Sequence, residues 1–573
     1  MLSDARDSRS SIICIPGPGM DVDWFQTNNT QYGPWPIWNA LTNYTFPQIP
    51  RARVQHAEEI AGSPATIGLA TGTLLILALS SNSRQFQSKN IKHTLVLPSQ
   101  RVLDQITKAF IAFVIIPLVS FLFLSLALYK HLVACFLQRQ LLCGPDAVWA
   151  LDADEPHSRS VINILALIKG DIRLNELQHL VNFNILPASK KLRQFRKYSL
   201  FGYFYWERNK FEVNTLVRQL PGAGEITEDE LRNVLASVNN VPLPANHTAG
   251  WEVLLGPHVA ATHLEPRRTA ILFRVHHSLG DGPALCQVLL SALSDSPLQN
   301  IALPISITKK RSFRLMETLA EGTRSVTHMA TLSPDAGPLH GPRLSGDKKL
   351  VWRSSCRLLE AAKGVRAATG APFTAGLLAA LATTLHEYAA ERGGTNGKKL
   401  SVVIPARLPR GDMNNELDND FSMVVVQVRT PTGPISALER VHAAEKALRD
   451  VCTPATLIVS SLALRLIAGL LPRPLASLAL RSTQCTAVLS NMPGPTHRLS
   501  LAGRPLTELA FWVPHRGTTG VGATALSYAG QLTLGLTVDA AVLAEPEDAA
   551  RLMDSWERNL LHLEHELRLT TSV

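Results

Sequence analysis

Hydrophobic and polar positions divide the chain into three stretches. Residues 1–60 form a polar, irregular lead with no sustained period, broken by Pro16-Gly17-Pro18-Gly19 and Gly33-Pro34-Trp35-Pro36. Its start lacks the basic-then-apolar order of a signal peptide. Residues 61–140 are a membrane-type region with two apolar runs. The run 66–80 is rich in Gly and Thr and short for a span, and its length fits a span or a buried or interfacial helix equally well. The run 109–129 carries no charge and is long enough to cross a hydrocarbon core, which takes about 20 helical residues. Beyond residue 141 the apolar positions come in short runs that alternate with helical periods.

Within that last stretch, 161–167, 251–255 and 271–275 read as strands, and 175–184 and 225–238 as helices. Thr227 is placed to cap the second helix, with acids in its first turn. Residues 305–345 break the pattern and read as a linker, with Lys309-Lys310-Arg311, an amphipathic helix around 313–319 and a loose end. The second half repeats the mixed style. Residues 373–392 predict a long helix closed by Gly393-Gly394, and 399–404 and 423–428 predict buried strands. The run 457–471 is a core or interface helix rather than a span, since Arg465 interrupts it and Pro472 ends it. Tyr528-Ala529-Gly530 is a hairpin turn, and Leu552, Trp556, Leu560, Leu563 and Leu567 lie on one face of a closing helix. The expected class is α/β, with domains at 141–304 and 346–573.

Composition narrows the choice of partner. Of 573 residues 46% are hydrophobic and 18% charged, which points toward a membrane. The net charge of +10 suits anionic lipid or an anionic small substrate such as a CoA ester. The basic residues are scattered, with no basic helix interleaved with aromatics, so nucleic acid is not an expected partner. Cys14, Cys135, Cys143, Cys286, Cys356, Cys452 and Cys485 show no metal-ligand or redox spacing and read as free thiols. Arg84, Lys89, Lys92, Arg101 and Lys108 lie between the two apolar runs. If both runs span, this loop faces the cytosol and the later domains lie on the far side. If only the second spans, Lys130 and Arg139 are compatible with a cytosolic body.

The chemistry concentrates at His276-His277-Ser278-Leu279-Gly280-Asp281-Gly282, a turn between an apolar strand and a helix that begins near Pro283. Three readings are open for this string alone. One imidazole is a general base near neutral pH, or His277 and Asp281 are metal ligands that lack an evident third, or the histidines simply pack at a strand end.

The surroundings resemble the wax ester synthase/diacylglycerol acyltransferase family, within the CoA-dependent acyltransferase superfamily that also holds chloramphenicol acetyltransferase, carnitine acyltransferases and peptide condensation domains. The resemblance runs from about residue 142 to 567. It is carried, in family order, by Pro145-Asp146-Ala147, Gly250-Trp251-Glu252, the full motif His276 to Gly282, Pro338-Leu339-His340-Gly341, Ser490-Asn491-Met492-Pro493-Gly494-Pro495, Leu501-Ala502-Gly503 and Leu526-Ser527-Tyr528-Ala529-Gly530. Asn419 fits a block where the family has Gly-Asn. Where the family carries Asn-Asp at a helix start, this chain has Thr374-Ala375.

The resemblance implies two chloramphenicol-acetyltransferase-like mixed-sheet domains forming a pseudodimer behind an N-terminal membrane-anchoring region. It implies an O-acyltransferase that moves a long-chain acyl group from acyl-CoA to a fatty alcohol or diacylglycerol. Acyl-CoA is then a co-substrate, with no resident cofactor and no metal. His277 is the implied base, His276 and Asp281 complete the motif, and Gly280 and Gly282 allow its tight backbone. Asp281 is placed to cap the following helix and fix the turn. Asn491 is a candidate for contact with substrate or an oxyanion, against a plain turn role. Trp251, Glu252, Asn419, Ser490, Pro493 and Gly494 support the motif. The expected location is a membrane, the endoplasmic reticulum first and the plasma membrane as the alternative. Two other readings keep the fold: transfer to a different acceptor, and a lipid-binding membrane protein with a decayed site.

Overall fold

The computed structural model describes most of residues 116–571. The first 109 residues, residues 111, 112 and 115, segments 296–314 and 408–416, several shorter loops and the last two residues lie outside the described part. The expectations for 1–60, for the run 66–80 and for Lys309-Lys310-Arg311 therefore fall outside it.

Two mixed sheets organise the molecule, as expected for an α/β fold. In the first, the motif strand Arg268–His276 lies between Val161–Lys169 and Trp251–Val259, antiparallel to both. The second is ordered Phe421–Arg429, Lys399–Arg407, Ala487–Pro493, Val521–Tyr528, Gln531–Asp539, Lys348–Ser355, with parallel pairs at its centre. The two sheets share chain. Arg504–Trp512 leaves the second half of the sequence and pairs antiparallel with Val161–Lys169 in the first sheet. Its alternating apolar residues join the core of the first half, where Leu506, Leu509 and Phe511 pack with Ile162, Ala166 and Phe273.

Several local signals act as their chemistry predicts. Thr227 and Glu230 form a reciprocal capping box at the start of Glu228–Asn239, while Glu225–Ile226 is a short strand rather than helix. Gly393 has φ +66°, the left-handed conformation that ends the helix Phe373–Glu391. Leu552, Trp556, Leu560, Leu563 and Leu567 are all buried on one face of Asp548–Thr571. Pro454–Leu470 is a core-facing helix, and its Arg465 is held by Asp420 at 2.6 Å, which explains a charge within an apolar run. The linker region contains a helix, Leu315–Ala330, which packs on Pro454–Leu470.

Two expectations change. The uncharged run expected at 109–129 belongs to a helix, Ile116–Leu137, that continues past Tyr129. Lys130 does not end it, because its ammonium donates to the carbonyls of Leu142 (3.3 Å) and Gly469 (2.7 Å). Most of this helix is exposed, and it is long and apolar enough to cross a membrane. Among the described cysteines, Cys135, Cys143, Cys286, Cys452 and Cys485 form no disulfide, but Cys356 is disulfide-bonded. Spacing along the chain gives no sign of a pairing between distant residues.

Candidate active site

The site forms where two stretches of backbone meet. One is the motif turn. The motif strand ends at His276, whose N–H donates to the Gly250 carbonyl, and the His277 N–H donates to the Ser160 carbonyl. The helix Gly282–Leu293 then begins, capped by Asp281, whose carboxylate accepts from the Ala284 N–H at 3.0 Å. The other is the segment 417–421, which leads into Phe421–Arg429 from the second half of the chain. The Asp281 N–H donates to the Asp418 carbonyl at 2.9 Å, and the second Asp281 oxygen accepts from the Asp420 N–H at 3.1 Å. Asp281 thus caps its helix and ties the two halves together. Gly280 and Gly282 have ordinary φ values, and their requirement is space. A Cβ on Gly280 would press on the Asp418 carbonyl and Leu417 at 3.3 Å, and one on Gly282 on the Met492 sulfur at 3.3 Å.

The fitted segment brings Asn419 onto the imidazole of His277. Asn419 Nδ2 donates to the His277 carbonyl at 2.8 Å and to Asp146 Oδ1 at 2.9 Å. Two acceptors on Nδ2 fix the amide orientation, so Oδ1, 3.2 Å from His277 Nδ1, must accept from an Nδ1–H. The neutral ring then carries its lone pair on Nε2. Asp146 is in turn bound by Lys191 Nζ at 2.8 Å. The indole of Trp149 stacks on the imidazole at 3.8 Å between centroids, and Phe421 meets it edge-on at 5.9 Å. Burial in this setting pushes the His277 pKa down to about 3, against the opposing effects of its own backbone and Asn419. The imidazole is therefore neutral across physiological pH.

His276 is placed differently. Its Nδ1 is 2.8 Å from Ser278 Oγ and its Nε2 3.1 Å from Asp152, which also accepts from the Ser160 N–H. Burial opposes the Asp152 charge, but His276 and Arg196 hold its carboxyl well below the usual range. His276 is thus held at the strand end by both ring nitrogens. The ring that faces Trp149 and Asn419 is His277.

The other expected residues build the frame. Trp251 donates from Nε1 to the Leu192 carbonyl at 2.8 Å, and Glu252 is buried against Arg274 and Arg218, one strand away from the motif. Ser490 and Pro493 pair with Thr524 and Ser527 in the second sheet. Gly494 follows, where a Cβ would meet the Ser527 carbonyl at 2.5 Å. Asn491 is exposed and donates from Nδ2 to Thr374 Oγ1 at 3.2 Å. Asp146, Trp149 and Lys191 were not singled out as site residues from the sequence. Asp146 follows Pro145 at a helix start, where an acid is explained by the helix end alone, and Trp149 has no local mark. Among the described residues no group of three or more His, Cys, Asp or Glu side chains could hold a metal ion.

An apolar cavity opens beside the motif turn. It runs from Gly282 and Met492 beneath the helix Gly282–Leu293, past Cys286 and Leu289, toward Phe511 and Leu501. Its walls are apolar apart from Ser294 and Ser500. Burial raises the Cys286 thiol pKa to about 12, so it lines the wall as a neutral apolar group.

The similarity of the chain to known proteins is to acyltransferases. Residues 417–564 match the WS/DGAT C-terminal domain, which begins at the segment that reaches His277. The chain is 23% identical over 388 residues to the probable diacylglycerol O-acyltransferase Tgs4 of Mycobacterium tuberculosis, covering 61% of this chain and 80% of that one. Among solved structures it is similar in fold to the wax ester synthase/diacylglycerol acyltransferase from Marinobacter aquaeolei VT8, with a TM-score of 0.50 and 19% identity over 76% of this chain and all of the other. It is also similar to a starter condensation domain of rhizomide synthetase solved with C8-CoA, with a TM-score of 0.50 and 13% identity over 76% and 98% of the two chains. The resemblance to the wax ester synthase/diacylglycerol acyltransferase family read from the sequence is borne out.

Proposed function

We propose that the protein transfers a long-chain acyl group from acyl-CoA to the hydroxyl of a fatty alcohol or of diacylglycerol, with His277 as the general base. The observation that carries this reading is the Asn419 amide, whose bonds to His277 and Asp146 set the tautomer of His277. Asn419 engages Nδ1–H and leaves the lone pair of a neutral ring on Nε2, where it can accept the hydroxyl proton as the oxygen attacks. Nε2 takes the proton of the acceptor hydroxyl while its oxygen bonds to the thioester carbonyl carbon. The tetrahedral intermediate then collapses, the C–S bond breaks, and the proton on Nε2 passes to the leaving CoA sulfur. One base serves both proton transfers, so no acyl-enzyme is needed and the gain is proximity plus base catalysis.

The apolar cavity supports a long alkyl chain, since each buried CH₂ contributes about 0.8 kcal/mol and none of the lining side chains is charged. The exposed helix Ile116–Leu137 supports a membrane anchor, which suits an acceptor that partitions into lipid. The test is CoA thiol release by the purified protein with a long-chain alcohol or diacylglycerol, followed by identification of the ester. Release from wild type and its loss in His277→Ala support the reading. No release with either acceptor refutes it.

A further inference from the structure

The apolar helix is not the only apolar surface on its side of the molecule. Its second half lies on the body through Lys130, bound to the Leu142 and Gly469 carbonyls, and through a hairpin made of Gln194–Tyr198 and Phe204–Arg208. Tyr129 Oη donates to the Phe201 carbonyl at 3.1 Å, Phe136 meets the Phe201 ring edge-on at 5.3 Å, and Tyr129 lies 5.9 Å from Tyr203. The hairpin turn is joined in turn to the short helix Arg473–Ala479. The Arg473 N–H donates to the Gly202 carbonyl at 2.7 Å, and the Arg473 guanidinium covers Tyr198 at 4.6 Å and Phe204 at 5.6 Å. Helix, hairpin tip and short helix therefore form one braced surface.

The outermost side chains of that surface are apolar. Leu200 at the tip is fully exposed, Leu478 is 72% exposed, and Leu475 and Phe201 are exposed beside them. One exposed leucine needs no explanation. Here four such residues continue an exposed helix that already carries Leu118, Phe121, Leu122 and Phe136 on its surface. Lys190 and Arg193, just before the hairpin, are also exposed and suit anionic headgroups.

We propose that this surface is a second membrane contact, in which the Leu200–Phe201 tip and the Leu475 and Leu478 face sit in the headgroup boundary of the bilayer that the helix enters. The inference rests on the anchor reading above, and it commits to lipid because the patch is continuous with a helix that carries no charge before Lys130 and is largely exposed there. Its consequence is a fixed orientation: the body does not swing on a tether but rests on the bilayer through a rigid face.

The experiment uses the full chain reconstituted in vesicles of phosphatidylcholine and phosphatidylserine. Leu122→Cys, Leu200→Cys, Leu478→Cys and Leu569→Cys are each made with Cys135→Ser and Cys143→Ser, and labelled with bimane. The signal of the identically treated background protein is subtracted. Quenching is read with nitroxides at shallow and deep positions of the acyl chain. Interfacial side chains reach about 5–10 Å into the boundary, so labels at 200 and 478 should lose emission to the shallow nitroxide and less to the deep one. The label at 122 should lose emission to the deep nitroxide, and the label at 569, on the closing helix, to neither. Quenching at 122 with 200 and 478 behaving like 569 overturns the second contact and leaves the anchor. Quenching at 200 and 478 without 122 supports the contact and overturns the anchor, and quenching at none overturns both. As an independent check, Leu200→Asp with Leu478→Asp should raise KM for a vesicle-borne acceptor and leave kcat on a detergent-dispersed acceptor unchanged. An unchanged KM on vesicles counts against the proposal.

Discussion

Asn419 is the residue whose replacement tests the site most directly. It makes three side-chain hydrogen bonds while 5% exposed, at 3.2, 2.8 and 2.9 Å, two of them to His277. In Asn419→Ala the Nδ1–H of a buried imidazole loses its acceptor, and an unsatisfied buried donor costs about 1–3 kcal/mol. The ring can escape that cost by moving the proton to Nε2, which removes the base. Either route raises the barrier, and about 1–3 kcal/mol corresponds to a roughly 5- to 150-fold loss in kcat. KM for acyl-CoA should move little, since Asn419 acts on the imidazole and not on the bound thioester. Asn419→Asp separates tautomer control from packing. A carboxylate still accepts from Nδ1–H, but it favours the imidazolium and so raises the His277 pKa from about 3. Its activity should exceed that of the Ala variant at high pH and fall on an acid limb that wild type lacks. The assay is CoA thiol release across about pH 5 to 8, with kcat and KM separated and the melting temperature measured in parallel. If Asn419→Ala keeps wild-type kcat while losing only thermal stability, the tautomer argument is wrong.

Four further outcomes are expected. His277→Ala should abolish CoA release on every acceptor while the protein keeps its melting temperature, and persistent release would remove His277 as the base. Asp281→Ala should lower the melting temperature, losing a helix cap worth about 0.5–2 kcal/mol and its tie to Asp420, while Asp281→Asn, whose one amide oxygen can accept from Ala284 but whose Nδ2 then faces the Asp420 N–H, should recover the cap and not the tie. Across an acyl-CoA series kcat/KM should rise roughly fourfold per CH₂, from about 0.8 kcal/mol each, and Leu289→Trp should flatten the series at shorter chains; identical series for both proteins would place the chain elsewhere. Denaturation at falling pH should show stability lost between about pH 6.5 and 3, because the unfolded histidine takes up a proton there that folded His277 refuses, and His277→Gln should reduce that slope.

The scaffold was legible where local chemistry decides it. Thr227 and Glu230, Gly393 and the face of Leu552 to Leu567 each act within a few residues of themselves, and each forms the element its pattern predicts. The motif turn was legible for the same reason, down to the capping role of Asp281. Periodicity could not show that Arg504–Trp512 joins the sheet of the first half. A buried strand has the same alternation whichever sheet it enters, so a division of the sequence into halves does not reveal the exchange. Arg465 and Lys130 show the same limit for charge. Each looks like the end of an apolar helix, and each is tolerated because its partner comes from elsewhere: Asp420 for one, the Gly469 carbonyl for the other.

The most informative failure of local reading concerns the partner of His277. Thr374-Ala375 stands where the related family carries Asn-Asp, which makes the site look incomplete from the sequence. In the folded chain Thr374 receives a hydrogen bond from Asn491, and the buried amide on His277 is supplied by Asn419. The two places carry different duties. An amide at 374 would lie beside the exposed Asn491, at the rim, whereas Asn419 is set by Asp146 and Lys191 from the first half and by the Asp418 and Asp420 backbone ties to Asp281. Orientation of the His277 imidazole therefore depends on the junction of the halves and not on positions 374–375. The change at 374–375 is then expected to act on whatever crosses the rim, that is, on KM for a substrate, while changes at 419 act on kcat. Ala375 is fully buried in the apolar core, so the test is Thr374→Asn alone, which should shift acceptor KM with kcat unchanged; a rise in kcat alone would give position 374 a part in supporting His277.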